Sequence, residues 1–264
     1  MLTEIKEGYI KTDHEHGIAT IEFYHPQSNS LPGALLEALA QAIHAEGINE
    51  HTKVIVLRSA GSGVFCSGAS FDELAAIETE EAGVRFFSGF AKVINAMRKA
   101  PKFVIARVHG KCVGGGVGIA AAADYAISVE GSEIKLSELT VGLGPFVVGP
   151  AVERKLGLSA FTQLAIDSHM WRNGDWARKK GLFAELHPNV ESMDDSIVRL
   201  TNHLSTSSRD AMAQMKKTFW AGTEHWDELL KERAAISGRL ILSAQSKAFI
   251  EKFKARGTPT PKGA

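Results

Sequence analysis

Cysteine is nearly absent from this 264-residue chain: Cys66 and Cys112 are the only two. So few thiols exclude a disulfide framework, and their wide spacing excludes a metal knuckle. Net charge is missing as well, because 30 Lys and Arg balance 30 Asp and Glu. Without a global field to gather phosphate backbones or anionic lipid, no nucleic-acid or membrane partner is expected. No apolar run of signal-peptide length opens the chain, and the small-residue stretch 113–123 is short, broken by glycine and followed by Asp124. The protein is therefore expected to be soluble and cytoplasmic. The ten histidines are scattered, and His14/His16 and His44/His51 have no accompanying ligand pattern, so no metal is expected. A G-x-S-x-G elbow, a Ser/Gly linker and a repeat of 20 to 50 residues are all lacking.

What is present is an apolar content of 44%, enough for a substantial core. Residues 9–23 hold two strand-like runs around a polar turn, and 53–59 (KVIVLRS) reads as a buried strand. Between them Leu35, Leu36, Leu39 and Ile43 fall at helical spacing behind the Pro32-Gly33 break. A second helix is predicted over 80–99, then the strand FVIARVHG, a Gly-rich turn and a helix-forming run over 118–124. This order predicts an α/β fold with a largely buried sheet. From about residue 150 helical patterns dominate. The organisation expected is a core over 1–200 and a helical region over 201–264, with 257–264 frayed.

Two segments have the composition of ligand-binding turns. Residues 60–74 (AGSGVFCSGASFDEL) follow a strand, and small residues there let backbone N–H groups face a ligand. Residues 109–118 (HGKCVGGGVG) again follow a strand and open a helix, whose N-terminus suits developing negative charge. Gly116 to Ala121 also fits the dinucleotide pattern G-x-G-x-x-A, with Glu133 or Glu138 as the acidic residue that such a site requires. An NAD-dependent oxidoreductase is the alternative from a different class.

Together the two turns resemble the crotonase superfamily of enoyl-CoA hydratases and isomerases, and the resemblance spans nearly the whole chain. Phe65 to Leu74 is similar to the family's AFCAGADLKEL, with Ser70 where Asp is usual. His109 to Asp124 is similar to NGxAxGGGxxLAxxxD. His25 to Leu31 resembles RPxxxNAL, one residue shorter, and Asp175 to Phe183 resembles AxEAxxxGLV. The fold implied is a crotonase-like spiral of ββα repeats with a helical C-terminal subdomain. The resemblance implies an oxyanion hole of two backbone N–H groups, on Ala69 and Gly115, for the thioester oxygen of an acyl-CoA. It implies ligand contacts at Ser67, Gly68, Ser70, Phe71, Gly114 and Phe146. Ala248 to Lys252 resembles AFLEK, which implies that Phe249 and Lys252 approach the CoA nucleotide held by an adjacent subunit of a homotrimer or dimer of trimers. No cofactor is implied beyond the CoA of the substrate.

Family hydratases use two glutamates. The first aligns with Gly118 and is absent; the second, in a motif like FxxPEIxxGxxP, is Glu138. A single carboxylate carries one proton between two carbons more naturally than it adds water, so isomerisation is expected, with Glu138 as the base. Asp72, Glu73 and Glu78 are the other acids near the first turn that could serve as a second one. Hydration, decarboxylation and non-catalytic acyl-CoA binding remain alternatives on the same scaffold. Phe146, Val147 and Val148 stand where the family has GxG and are expected either to line an apolar acyl pocket or to pack in the core. Cys66 and Cys112 are expected to act as small buried hydrophobes.

Overall fold

In the computed structural model, which describes residues 1–5 and 7–255, the apolar strand runs form two sheets. The larger has seven strands in the order β1 (Leu2–Ile5), β2 (Gly8–Glu15), β3 (Ile18–Tyr24), β4 (Val54–Ser59), β6 (Phe103–Val108), β8 (Tyr125–Val129) and β11 (Glu185–His187). Pairing is antiparallel from β1 to β3 and parallel from β3 to β11. The smaller has four short strands in the order β10 (Arg172–Asn173), β9 (Glu133–Lys135), β7 (Lys111–Val113) and β5 (Val64–Cys66). Parallel strands need crossovers, which the helices supply. They are α1 (Gly33–Ile48), α2 (Phe71–Ala75), α3 (Glu80–Lys99), α4 (Gly115–Ala122), α5 (Gly149–Leu156), α6 (Leu158–Ile166), α7 (Gly174–Lys179), α8 (Val190–Thr206), α9 (Arg209–Phe219), α10 (Trp226–Leu240) and α11 (Ala244–Ala255).

The continuous apolar run of β4 follows from burial of both sheet faces. Ile55 and Leu57 join the main core with Leu35, Phe90 and Ile119, whereas Val54 and Val56 meet Ile127, Met193 and Ile197 on the α8 side. Helix α3 shows the expected end signals. Thr79 accepts a hydrogen bond from the Ala82 amide at 3.2 Å, with Glu80 and Glu81 in the first turn and Arg98 and Lys99 in the last.

A unit of long strand, short strand and turn into a helix occurs three times: β4–β5–α2, β6–β7–α4, and β8–β9 followed by a 3-10 turn over Glu138–Val141. This is the ββα spiral. The division expected at residue 200 falls inside α8, and Leu230, Ala234 and Ile250 of the last two helices belong to the same buried cluster as Leu35. The expected fraying of 257–264 lies outside the described residues. Among the described residues no helix is long and apolar enough to cross a membrane.

Candidate active site

Because β5, β7 and β9 are hydrogen-bonded neighbours, the three turns that follow them lie side by side. Gly68 has a φ of 87°, and a Cβ there would sit 2.9 Å from the Val113 carbonyl and 3.3 Å from the Gly115 amide nitrogen. Only glycine allows both that backbone and that approach. Gly114 has a φ of 53°, and a Cβ on it would lie 3.2 Å from Glu138 Oε1. The first two turns and the Glu138 carboxyl therefore touch.

Backbone hydrogen bonds lock the turns but leave several donors over, those of Ala69 and Gly115 among them. Leu31 donates to the Gly68 carbonyl at 2.8 Å, Ser70 to the Leu31 carbonyl at 3.4 Å, and Gly114 to the Lys135 carbonyl at 2.8 Å. The amides of Ala69 and Gly115 have no protein acceptor among the described residues. Such preorganised, unspent N–H groups suit an oxygen that gains charge during reaction. The loop over 25–31 braces the first turn: Asn29 donates to the carbonyls of Ala60 and Val64 at 2.8 and 2.9 Å, and Ser67 donates to the Ser28 carbonyl at 3.2 Å. Ser70 fills the role of the usual Asp, its hydroxyl accepting from the Glu73 amide at 3.4 Å as the cap of α2.

Glu138 opens the 3-10 turn. The residue is half-buried, yet its Oε2 is closed to solvent and meets no hydrogen-bond partner. Burial without a counter-charge pushes its carboxyl up to about 7, partly opposed by its own backbone N–H. That is the range in which a carboxylate both accepts and returns a proton near neutral pH.

Two cavities meet at Ala69. The larger, about 400 Å³, is lined by Gln27, Ser67, Phe71, Lys135, Trp171 and Phe249 among others. The smaller chamber holds Gly115, Glu138, Phe146, Val147 and Val148, with Phe87 and Phe90 of α3 and Ser237 of α10. Of the residues expected at the ligand, Ser67, Ala69, Phe71 and Phe249 line the larger cavity, and Ala69, Gly115, Glu138 and Phe146 line the chamber. Gly68, Ser70 and Gly114 are buried and line neither; they shape the turns. Lys252 is exposed and also lines neither cavity; Lys254 lines the larger one and pairs with Asp72 at 3.5 Å. In this chain α11 packs on its own α2, where Phe253 stacks on Phe71 at 4.2 Å between ring centroids.

None of the other acids near the first turn lines the chamber. Asp72 accepts from Gln27 at 2.6 Å, Glu73 accepts from the Gly33 amide at 2.6 Å, and Glu78 is exposed. The place of the missing glutamate is filled, since a Cβ on Gly118 would overlap the Val148 side chain. The dinucleotide reading fails on the same geometry. Gly116 packs against Cys66, where a Cβ would meet the carbonyl at 2.7 Å, and Gly118 packs against Val148, so neither glycine leaves room for a pyrophosphate. Glu133 is paired with Lys111 at 3.1 Å. Both cysteines are fully buried, and burial pushes the Cys66 thiol up to about 12, so neither supplies a thiolate. Trp171, Phe87, Phe90 and Ser237 lie outside every motif legible in the sequence.

The family model for enoyl-CoA hydratase/isomerase matches residues 13–259. The mitochondrial enoyl-CoA hydratase domain-containing protein 3 of Rattus norvegicus is 28% identical over 215 residues, which cover 79% of this chain and 69% of that protein. Mitochondrial methylglutaconyl-CoA hydratase of Mus musculus is 29% identical over 159 residues, 60% of this chain, and the match spans half of that protein's length. Among solved structures, an enoyl-CoA hydratase from Bacillus halodurans superimposes with a TM-score of 0.85 over 92% of this chain and 99% of the other, at 20% identity.

Proposed function

Since the chain belongs to the enoyl-CoA hydratase/isomerase family, we propose that it moves a double bond within an acyl-CoA thioester, with Glu138 as the only proton carrier. The thioester oxygen accepts hydrogen bonds from the amides of Ala69 and Gly115. Glu138 takes a proton from C2 of a 3-enoyl thioester, and the C–H electron pair delocalises into a dienolate whose charge rests on that oxygen. The same carboxyl, now neutral, returns the proton to C4, which leaves a 2-enoyl thioester and a regenerated carboxylate. No water is consumed.

The observation that carries this reading is the chamber's inventory: among the described residues Glu138 is its one ionisable side chain, and Val148 fills the space beside Gly118. Water addition is favoured by a second carboxylate that holds the nucleophile, and neither Asp72, Glu73 nor Glu78 reaches this chamber. The test is a paired assay on 3-hexenoyl-CoA and 2-hexenoyl-CoA. Double-bond migration faster than water addition is expected; rapid hydration with slow migration would overturn the reading. A homotrimer or dimer of trimers is part of the same proposal, and sedimentation velocity measures it directly.

A further inference from the structure

A third cavity, about 300 Å³, is lined by Asp124, Arg154, Lys155, Phe219 and Trp220. Gly115 and Val148, at the starts of α4 and α5, line the chamber, whereas Asp124, Arg154 and Lys155 stand at the far ends of the same two helices. A helix of 8 residues such as α4 is about 12 Å long, so this cavity is separate from the one that holds Glu138.

The charges gathered here do not balance. Lys216, 2% exposed, spends its N–H donors on the Met97 and Lys102 carbonyls at 2.7 and 2.8 Å and on Asp124 Oδ2 at 2.7 Å. Asp124 is spent in turn. Its Oδ2 also accepts from the Val104 amide at 2.7 Å, and its Oδ1 accepts from the Trp220 indole N–H at 2.7 Å. Among the described residues neither Arg154 nor Lys155 has a carboxylate partner of its own. Lys155 donates to the Ala123 and Asp124 carbonyls at 2.7 and 3.0 Å, which leaves one N–H over. Arg154 holds its guanidinium 4.1 Å from the Trp220 ring centroid and donates to the Phe219 carbonyl, which leaves most of its donors over.

The cations are near enough to act on one another. Burial pulls the Lys155 ammonium down to about 8, opposed by Asp124 and reinforced by Arg154 and Lys216. Apolar side chains at 154 and 155 would pack beside Phe219 and Trp220 without that repulsion, so the charges do not serve the fold. The carbonyls and the ring hold both cationic heads in place, and a ligand would find its donors already positioned.

We infer that this cavity is a binding site for a dianionic phosphate group, free or carried as a monoester on a small molecule, with the Arg154 guanidinium and the Lys155 ammonium as its donors. Three cations against one carboxylate leave two positive charges in excess, and a phosphate monoester near neutral pH carries close to two negative ones. A guanidinium can give such a group two parallel bonds, and the ammonium adds a point charge. Phe219, exposed in the lining, offers an apolar surface to the body of a monoester.

Calorimetric titration of the full chain in a chloride buffer with inorganic phosphate, phenyl phosphate and acetate tests this. The wild type is expected to bind at least one of the two phosphates with a Kd below about 1 mM, and acetate at least about tenfold more weakly. Tighter binding of phenyl phosphate identifies a monoester as the ligand and equal binding a free phosphate; either upholds the site. Arg154→Gln, at an exposed position, should weaken binding about tenfold, the lower end for a hydrogen bond to a charged group, and Lys155→Gln should do the same. If one of these variants does not fold, the other carries the test. Lys135→Gln, which alters the larger cavity, should leave phosphate binding unchanged. No phosphate binding by the wild type, acetate bound as tightly as phosphate, or a loss with Lys135→Gln that neither Arg154→Gln nor Lys155→Gln reproduces would overturn the inference.

Discussion

The two glycine-rich turns and the chamber beside Glu138 adjoin each other but are built in opposite ways. The turns are backbone devices. Their donors are the amides of Ala69 and Gly115, and the residues around them are glycines whose role is to admit another strand's backbone, as Gly68 admits Val113 and Gly115. The chamber is a side-chain device assembled from α3, the 3-10 turn, the segment after it and α10. Substitutions in the turns should therefore act through space and leave the chemistry of the base alone, whereas substitutions in the chamber should act through charge and polarity. The largest expected effect lies on the chamber side. Glu138→Gln keeps the shape and removes the base, so kcat should fall by about 10²–10⁴ with acyl-CoA binding retained. For the wild type, kcat/KM should rise with pH through an apparent pKa near the value of about 7 set by burial, because the carboxylate is the active form. Turnover by Glu138→Gln at the wild-type rate would remove Glu138 from the mechanism.

On the turn side the most crowded position is Gly115. A Cβ on this residue would overlap the Phe90 ring, so Gly115→Ala must move either the ring or the amide. We expect a loss of about 10²–10³ in kcat, the cost of one misplaced oxyanion donor. If the damage is purely one of space, Gly115→Ala combined with Phe90→Ala should recover a large part of it. Failure of the pair to exceed the single variant would mean that the turn itself is distorted. A third expectation returns to Glu138 and concerns stability. A carboxyl whose pKa rises from about 4.5 in the unfolded chain to about 7 in the folded one binds more protons when folded, so stability declines as pH rises between those values and is flat above. Glu138→Gln lacks that decline. It should match the wild type near pH 4 and exceed it at pH 8 by on the order of 3 kcal/mol, measured by urea unfolding at the two pH values.

The same contrast explains what was legible in the sequence. The turns could be read because a backbone device needs consecutive residues: the glycines, the cap at Ser70 and the strands before them are contiguous in the chain. Glu138 was legible because it stands in a contiguous stretch that resembles the motif FxxPEIxxGxxP, and the structure places it after β9 as Gly115 follows β7. The chamber's remaining walls were not. Phe87 and Phe90 looked like any apolar stripe of an amphipathic helix, and nothing local marks Ser237. Lys252 and Lys254 lie two residues apart on α11, and the sequence could not say which faces the cavity, because that depends on how the helix rolls onto Phe71. Gly118 was legible as a lost glutamate but not as a socket for Val148, a contact made across α4 and α5.

That socket sets the fourth expectation. Gly118→Glu alone places a longer side chain against Val148 and should destabilise the fold by about 1–3 kcal/mol through overpacking, with no gain in water addition. Gly118→Glu with Val148→Gly opens the space, and a second carboxylate then stands near Glu138. Hydration of 2-hexenoyl-CoA should rise several-fold relative to double-bond migration, and the two carboxyls should titrate as a coupled pair. An equal gain from the single variant would show that Val148 is not the obstacle.

The smallest effect belongs to the larger cavity, away from both devices. There Trp171 stands before β10 with Lys111 Nζ 4.8 Å and Lys135 Nζ 5.4 Å from its ring centroid. Two ammonium groups on neighbouring strands repel, and the ring face, with Glu133 paired to Lys111 at 3.1 Å, offsets that repulsion. If this cavity takes the phosphate-bearing part of the ligand, Lys135, which lines it beside Trp171, attracts it before and after the chemical step alike, so its contribution is to binding and not to rate. Trp171→Ala should accordingly raise KM by about 2- to 5-fold, the value of a solvent-exposed cation–ring contact, with kcat unchanged. Because the attraction is between partly exposed charges, the difference between wild type and variant should shrink as salt is raised from 50 to 500 mM, which cuts the Debye length to about a third. A fall in kcat instead would tie Trp171 to the turns, through β10 and β9 to Glu138, and would erase the separation between a region that binds and a region that reacts.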